Sequence, residues 1–127
     1  MRTLTDHKVN PANERLVIDV MDEPGPGGAN HHYRIRGFAH PIEAEFEILT
    51  AVDIHFQNGA IGEVGVNGIT HEALLAIIAD RLRAFQSGPY ACRENAVALT
   101  KIEEAQHWLH HRTRAREARG VEGTMKV

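Results

Sequence analysis

Three arginines near the end of the chain, Arg112, Arg116 and Arg119, stand at i, i+4 and i+7, so a helix through them places all three on one face. Guanidinium groups clustered in this way suit bidentate contact with phosphate oxygens. They belong to a local excess of positive charge: from residue 105 onward, Arg112, Arg114, Arg116, Arg119 and Lys126 face only Glu117 and Glu122. A plainer reading is a solvated helix end, since cations near a helix C-terminus are favoured by about 0.3–1 kcal/mol each. Phe85 and Asn95 form a second candidate group. Phenylalanine offers a flat face to a nucleobase, and asparagine a donor and an acceptor suited to an adenine edge. By periodicity alone Phe85 serves equally well as a core residue.

Other chemistries find little support. Of nine histidines, His107 and His111 share a helical face, as two zinc ligands would. However, Trp108 stands where the metalloprotease spacing needs a glutamate. Cys92 lies about 15 residues upstream on the same helix, too far along the axis to join them. There is no G-x-S-x-G, P-loop, C-x-x-C or post-strand G-x-G-x-x-G. Glu103 and Glu104 are adjacent on a helix and point apart. The residues name no base, nucleophile or metal set, so the chain reads as a non-enzyme without a cofactor.

The elements that position these groups divide the chain by charge. Residues 1–69 hold five basic and ten acidic groups, a balance of −5, whereas residues 70–127 hold nine and seven, a balance of +2. The first part reads as strand. Leu16–Val20 is β-rich and is closed by a Pro- and Gly-rich loop over 22–28. Tyr33–Phe38 and Ile42–Ile48 alternate and are expected to form a hairpin. There Arg34 and Arg36 would face the acidic row of Glu43, Glu45 and Glu47, in preference to contacting a ligand. A further strand over 51–57 runs into Asn58-Gly59, a hairpin signal that predicts a returning strand over 60–66.

From residue 70 the period changes to 3.6. Leu74, Leu75, Ile77, Ile78, Leu82 and Phe85 predict a helix from about His71 to Gln86, with Thr70 as N-cap and an Ile69/Leu74 staple. Ser87-Gly88-Pro89 breaks it, and the proline is suited to open the next helix. Ala96, Leu99, Ile102, Ala105 and Leu109 continue that second helix until Gly120. The short connection makes the two helices antiparallel neighbours. The expected fold is α+β, an N-terminal antiparallel β-sheet followed by a C-terminal antiparallel helical hairpin with a long second helix. At 127 residues it is expected to be a single domain, with a β-rich part (1–69), the helical hairpin (70–120) and a C-terminal tail (121–127).

No apolar run approaches the roughly 18 residues of a membrane span, and the net charge of −3 disfavours a nucleic-acid polymer or an anionic membrane as partner. A lone cysteine and a polar first twenty residues predict a reducing, cytoplasmic setting.

Spacing then constrains the two candidate groups. Asn95 and Arg112 are 17 positions apart on one helix, about 25 Å at ~1.5 Å per residue. One nucleotide-sized ligand cannot touch both within a subunit. If both serve one ligand, two chains meet head to tail, and a two-fold dimer then makes two equivalent sites.

Three runs carry a resemblance to a known family: Val66-Asn67-Gly68-Ile69-Thr70, Arg81 through Ala96 with its Phe-Gln-x-Gly-Pro-Tyr-x-Cys-Arg-Glu-Asn core, and Arg-Gly-Val-x-Gly-Thr at 119–124. About half of the chain resembles the phage-encoded Thoeris anti-defence sponge proteins, which sequester cyclic ADP-ribose signals. The hairpin is similar to that of anti-CBASS sponges, which bind cyclic di- and trinucleotides. The resemblance implies a ligand held between two subunits in the host bacterial cytoplasm. Phe85 would stack on a base, Asn95 would bond it, Arg112 and Arg116 would hold the phosphates, and Gly123 and Thr124 would close over the ligand. It also implies self-association as a dimer, extending in some members to a hexamer, a trimer of dimers. The rival expectations are a sponge for CBASS cyclic oligonucleotides, alone or in addition, and a phage structural or adaptor protein with no small ligand.

Overall fold

A computed structural model describes residues 1–39 and 48–127. These residues form two compact units, one of 1–59 with 66–69 and one of 60–65 with 70–127.

The first unit is a four-stranded antiparallel sheet in the order β1 (Arg2–Leu4), β2 (Leu16–Val20), β3 (His32–Phe38), β4 (Ile48–His55). A single helical turn, α1 (Pro11–Glu14), precedes β2; Asn10 caps it by accepting from the Asn13 amide at 3.1 Å, and Pro11 occupies its first turn. Val17, Val20 and Phe38 are buried. The strand expected over Ile42–Ile48, with its row of Glu43, Glu45 and Glu47, lies outside the described residues except for Ile48, which opens β4. Among the described residues, Arg34 and Arg36 find other carboxylates across the ladder. Arg34 donates to Asp53 at 2.7 Å, directly opposite on β4, and Arg36 donates to the buried Asp19 at 2.8 Å on β2. The Arg34 hydrogen bond, with His32 on the same carboxylate, holds Asp53 below the usual carboxylate range.

The returning strand expected after Asn58-Gly59 is not formed. Residues Ile61–Val64 make a single helical turn, α2, instead. The Asn67 side chain explains why the turn signal fails: it accepts from the Asn58 amide at 2.8 Å and donates to the Asn58 carbonyl at 2.7 Å, while the Asn67 amide donates to Gln57 Oε1. The backbone groups that a tight hairpin would pair are thereby closed into a wide loop. At the mouth of this loop Phe56 and Ile69 form a parallel bridge. The chain can make that crossing only because residue 68 lacks a Cβ, which would stand 2.6 Å from the His55 carbonyl oxygen. Backbone, unlike a flexible side chain, cannot give way here, so Gly68→Ala is expected to lose about 1–3 kcal/mol of stability, read as a lower urea midpoint at unchanged m-value.

The second unit is a helical hairpin of α3 (His71–Gln86) and α4 (Arg93–Ala118). Helix α3 starts and ends where its hydrophobic period predicts, and the Thr70 hydroxyl accepts from the Ala73 amide at 3.2 Å as its N-cap. Helix α4 does not open at Pro89. Cys92 caps it, its thiol accepting from the Asn95 amide at 3.4 Å, and Pro89 stays in the loop between the helices. At the far end Gly120, with φ +72°, takes the left-handed position beyond the helix; its amide bonds Glu117 and the Val121 amide bonds Arg116, the two bonds of a Schellman motif. Among the described residues no helix is long and apolar enough to cross a membrane.

Candidate ligand site

The hairpin keeps the two candidate groups at its opposite ends. At the tip, Phe85 lies in the last turn of α3 and is half-buried. The Arg81 guanidinium carbon stands 5.3 Å from the Phe85 ring centroid, within cation–π range. Tyr90, from the connecting loop, meets Phe85 edge to face with centroids 6.1 Å apart. Asn95 is in the first turn of α4 and half-buried; its backbone amide is engaged by the Cys92 cap, and its side chain extends from the same turn. The Gln86 side chain accepts from the Cys92 amide at 3.0 Å, tying the end of α3 to the start of α4. The tip thus joins aromatic surface to an amide side chain.

At the other end, Arg112 and Arg119 are exposed on α4 and just past it, but Arg116 is not. Only 8% of Arg116 is exposed, and its guanidinium is wrapped by the residues that follow the helix. Nε donates to Glu122 at 3.1 Å, Nη1 to the Lys126 carbonyl at 2.7 Å, and Nη2 to the carbonyls of Val121 at 3.0 Å and Thr124 at 3.1 Å. Four of its five donor hydrogens are therefore engaged. Arg119 adds a bond to the Val127 carbonyl at 3.0 Å. Gly123 accepts from the Gly62 amide at 3.0 Å, so the tail also holds α2. The Thr124 hydroxyl bonds the Val121 carbonyl and accepts from the Lys126 amide.

Arg112, Arg116, Gly123 and Thr124 thus gather at the basic end, and Phe85 and Asn95 at the tip. Asn95 and Arg112 lie on the same unbroken helix, 17 residues and about 25 Å apart. Sequence reasoning missed Arg81, Tyr90, Glu122 and Gly62. The four-residue step from Arg81 to Phe85 is legible as a helical neighbour pair, and Tyr90 follows Pro89 in the quoted run. The contact of Glu122 with Arg116 depends on the turn at Gly120 and has no periodic signal. His107, Trp108 and His111 stack edge to face on α4, with Trp108 largely exposed. Among the described residues no three His, Cys, Asp or Glu are grouped to hold a metal ion.

The family model described as Acb2/Tad1, hairpin domain, matches residues 49–114. This span takes in Phe85, Asn95 and Arg112 and stops short of Arg116 and the tail. Thoeris anti-defense 1 of Bacillus phage SBSphiJ7 is 41% identical over 116 residues, which cover 91% of this chain and 75% of that protein.

Proposed function

Because the chain belongs to the Acb2/Tad1 hairpin-domain family, we propose that it is a phage anti-defence sponge that binds a cyclic ADP-ribose-type signal between two subunits and releases it unchanged. The observation that supports this most is the placement of an aromatic and amide tip and a basic end on one rigid hairpin, too far apart for one ligand within one chain. Phe85 and Asn95 of one subunit receive the base. Arg112 of the partner subunit holds the phosphates, with Arg116 contributing its charge and its remaining donor hydrogen. Gly123 and Thr124 lie in the tail that Arg116 organises and close the site.

Sequestration in the host cytoplasm, by this reading, starves the Thoeris effector of its activating signal without any bond being broken. The test is recovery: after incubation of purified protein with the signal and heat denaturation, the released nucleotide should be intact and should still activate the effector. A degraded product would make the protein a hydrolase. Binding of the signal at 100-fold excess over its Kd should also stabilise the fold by about 2.7 kcal/mol, whereas an adaptor with no small ligand would show no shift.

The similarity of the hairpin to that of anti-CBASS sponges favours a second ligand class, cyclic di- and trinucleotides. Calorimetry against a panel of both separates them, and the double change Arg112→Ala with Arg116→Ala should abolish the ADP-ribose mode first.

A further inference from the structure

Phe85 does not stand alone at the tip. One of its faces carries the Arg81 guanidinium at 5.3 Å, so only part of the ring is open to a flat ligand. Beside it Tyr90, 71% exposed, stands with its ring plane at 76° to that of Phe85. An aromatic that exposed in a six-residue connection between packed helices buries little area on behalf of the hairpin. Two ring planes near a right angle make a corner, and a fused bicyclic base fits a corner by stacking on one wall and setting its edge against the other. A single ring gives orientation about one axis only; two walls fix the base in the plane as well, at low entropic cost because Tyr and Phe each have two side-chain torsions.

We infer that Tyr90 is a second wall of the base-binding half-site, in van der Waals contact with the base, and that Arg81 is a positioning residue that holds the Phe85 ring in place. The inference rests on the tip being the base-binding half of a nucleotide site. Tyr90 acts through its ring rather than its hydroxyl, since the edge-to-face pair is a contact of the two π-systems. Arg81 sits four residues before Phe85 on α3, where the helix brings it over the ring, and its charge also adds to the attraction of an anionic ligand.

Calorimetric titration of the purified full chain with cyclic ADP-ribose and, separately, with cyclic di-AMP tests both parts. Tyr90→Ala is expected to weaken the bound nucleotide by about 5- to 150-fold, the loss of one aromatic contact to a base. Tyr90→Phe and Tyr90→Trp are expected to bind within about threefold of the parent, which a structural role of the hydroxyl would not allow. Arg81→Met is expected to weaken binding several-fold and Arg81→Lys to restore most of it, because both keep the aliphatic stem and only one keeps the charge. Thermal melts of the unliganded variants check that each is folded. Parent-like binding by Tyr90→Ala alongside loss in Phe85→Ala overturns the second wall and leaves the sponge reading intact. Parent-like binding in both Phe85→Ala and Tyr90→Ala, or no binding of either nucleotide by the parent, overturns the reading and the corner together. Equal losses in Arg81→Met and Arg81→Lys overturn the positioning role.

Discussion

Arg116→Ala is expected to release residues 122–127 from the helix end and to weaken capture of a cyclic ADP-ribose signal by at least about 100-fold, while leaving the helical hairpin folded. The substitution removes, in one step, the donors that three tail carbonyls and the Glu122 carboxylate accept from. Hydrogen bonds to a charged group contribute roughly 1.5–3 kcal/mol each, and the tail has no apolar core of its own to hold it once they are gone. Gly123 and Thr124 then lose their placement, and so does the Gly62 bond that α2 makes to Gly123. Amide exchange is the direct readout: amides of 122–127 should exchange near the unprotected rate in Arg116→Ala, with those of α3 and the first half of α4 unchanged. Slow exchange across the tail in this variant would show that something other than Arg116 secures it.

The same residue has to serve two acceptors if it also meets the phosphates, and Glu122→Gln tells which it favours. A neutral side chain at 122 loosens the ion pair but leaves the three carbonyls in place. If Arg116 must turn partly from the tail to the ligand, Glu122→Gln tightens binding, because the competing anion is gone. If Arg116 stays with the tail and acts only by placing it, Glu122→Gln leaves binding unchanged or weaker. Arg116→Lys separates the fork from the charge: an ammonium keeps the charge but cannot reach four acceptors in one plane, so the tail should loosen as it does in the alanine variant.

How far residue order alone reaches is clear from particular elements. Helix α3 was legible to the residue because its cap, period and breaker agree: Thr70, the stripe through Phe85, then Ser87-Gly88-Pro89. Strand β2 was equally plain, with β-branched residues and a Pro- and Gly-rich stop. The return after Asn58-Gly59 does not form because a local turn signal competes with a longer-range one. Asn67 satisfies the Asn58 backbone from nine residues away, and no dipeptide rule contains that. The start of α4 departs from Pro89 for a similar reason: the helix is capped by the Cys92 thiol, a rare cap, three residues after the proline. Within the candidate site, the separation of tip and basic end followed from helix rise alone. The burial of Arg116 did not, since three arginines on one helical face look alike until the Schellman turn at Gly120 folds the tail over Arg116 and buries it.

Mixing two inactive variants should restore binding to about one quarter of all sites, a result open only to a ligand site shared between subunits. Phe85→Ala removes the base platform, and Arg112→Ala removes an exposed guanidinium that, among the described residues, is bonded to no carboxylate. Each homodimer is then defective at both of its sites. In a dimer of one with the other, the first site combines both lesions and the second combines the intact Phe85 of one chain with the intact Arg112 of its partner. Random pairing makes about half of the dimers mixed, and each mixed dimer has one working site of two. If tip and basic end instead belonged to separate ligands within each chain, the mixture would bind no more than the sum of the two variants alone. Titrating unfolded-and-refolded mixtures against cyclic ADP-ribose, with the stoichiometry rather than the affinity as the readout, decides between these outcomes. The affinity of the restored sites should match the parent's, because every group at that site is native; restored sites with a weakened Kd would mean that the two ends of α4 communicate along the helix, and a mass corresponding to monomer under the same conditions would remove the shared site altogether.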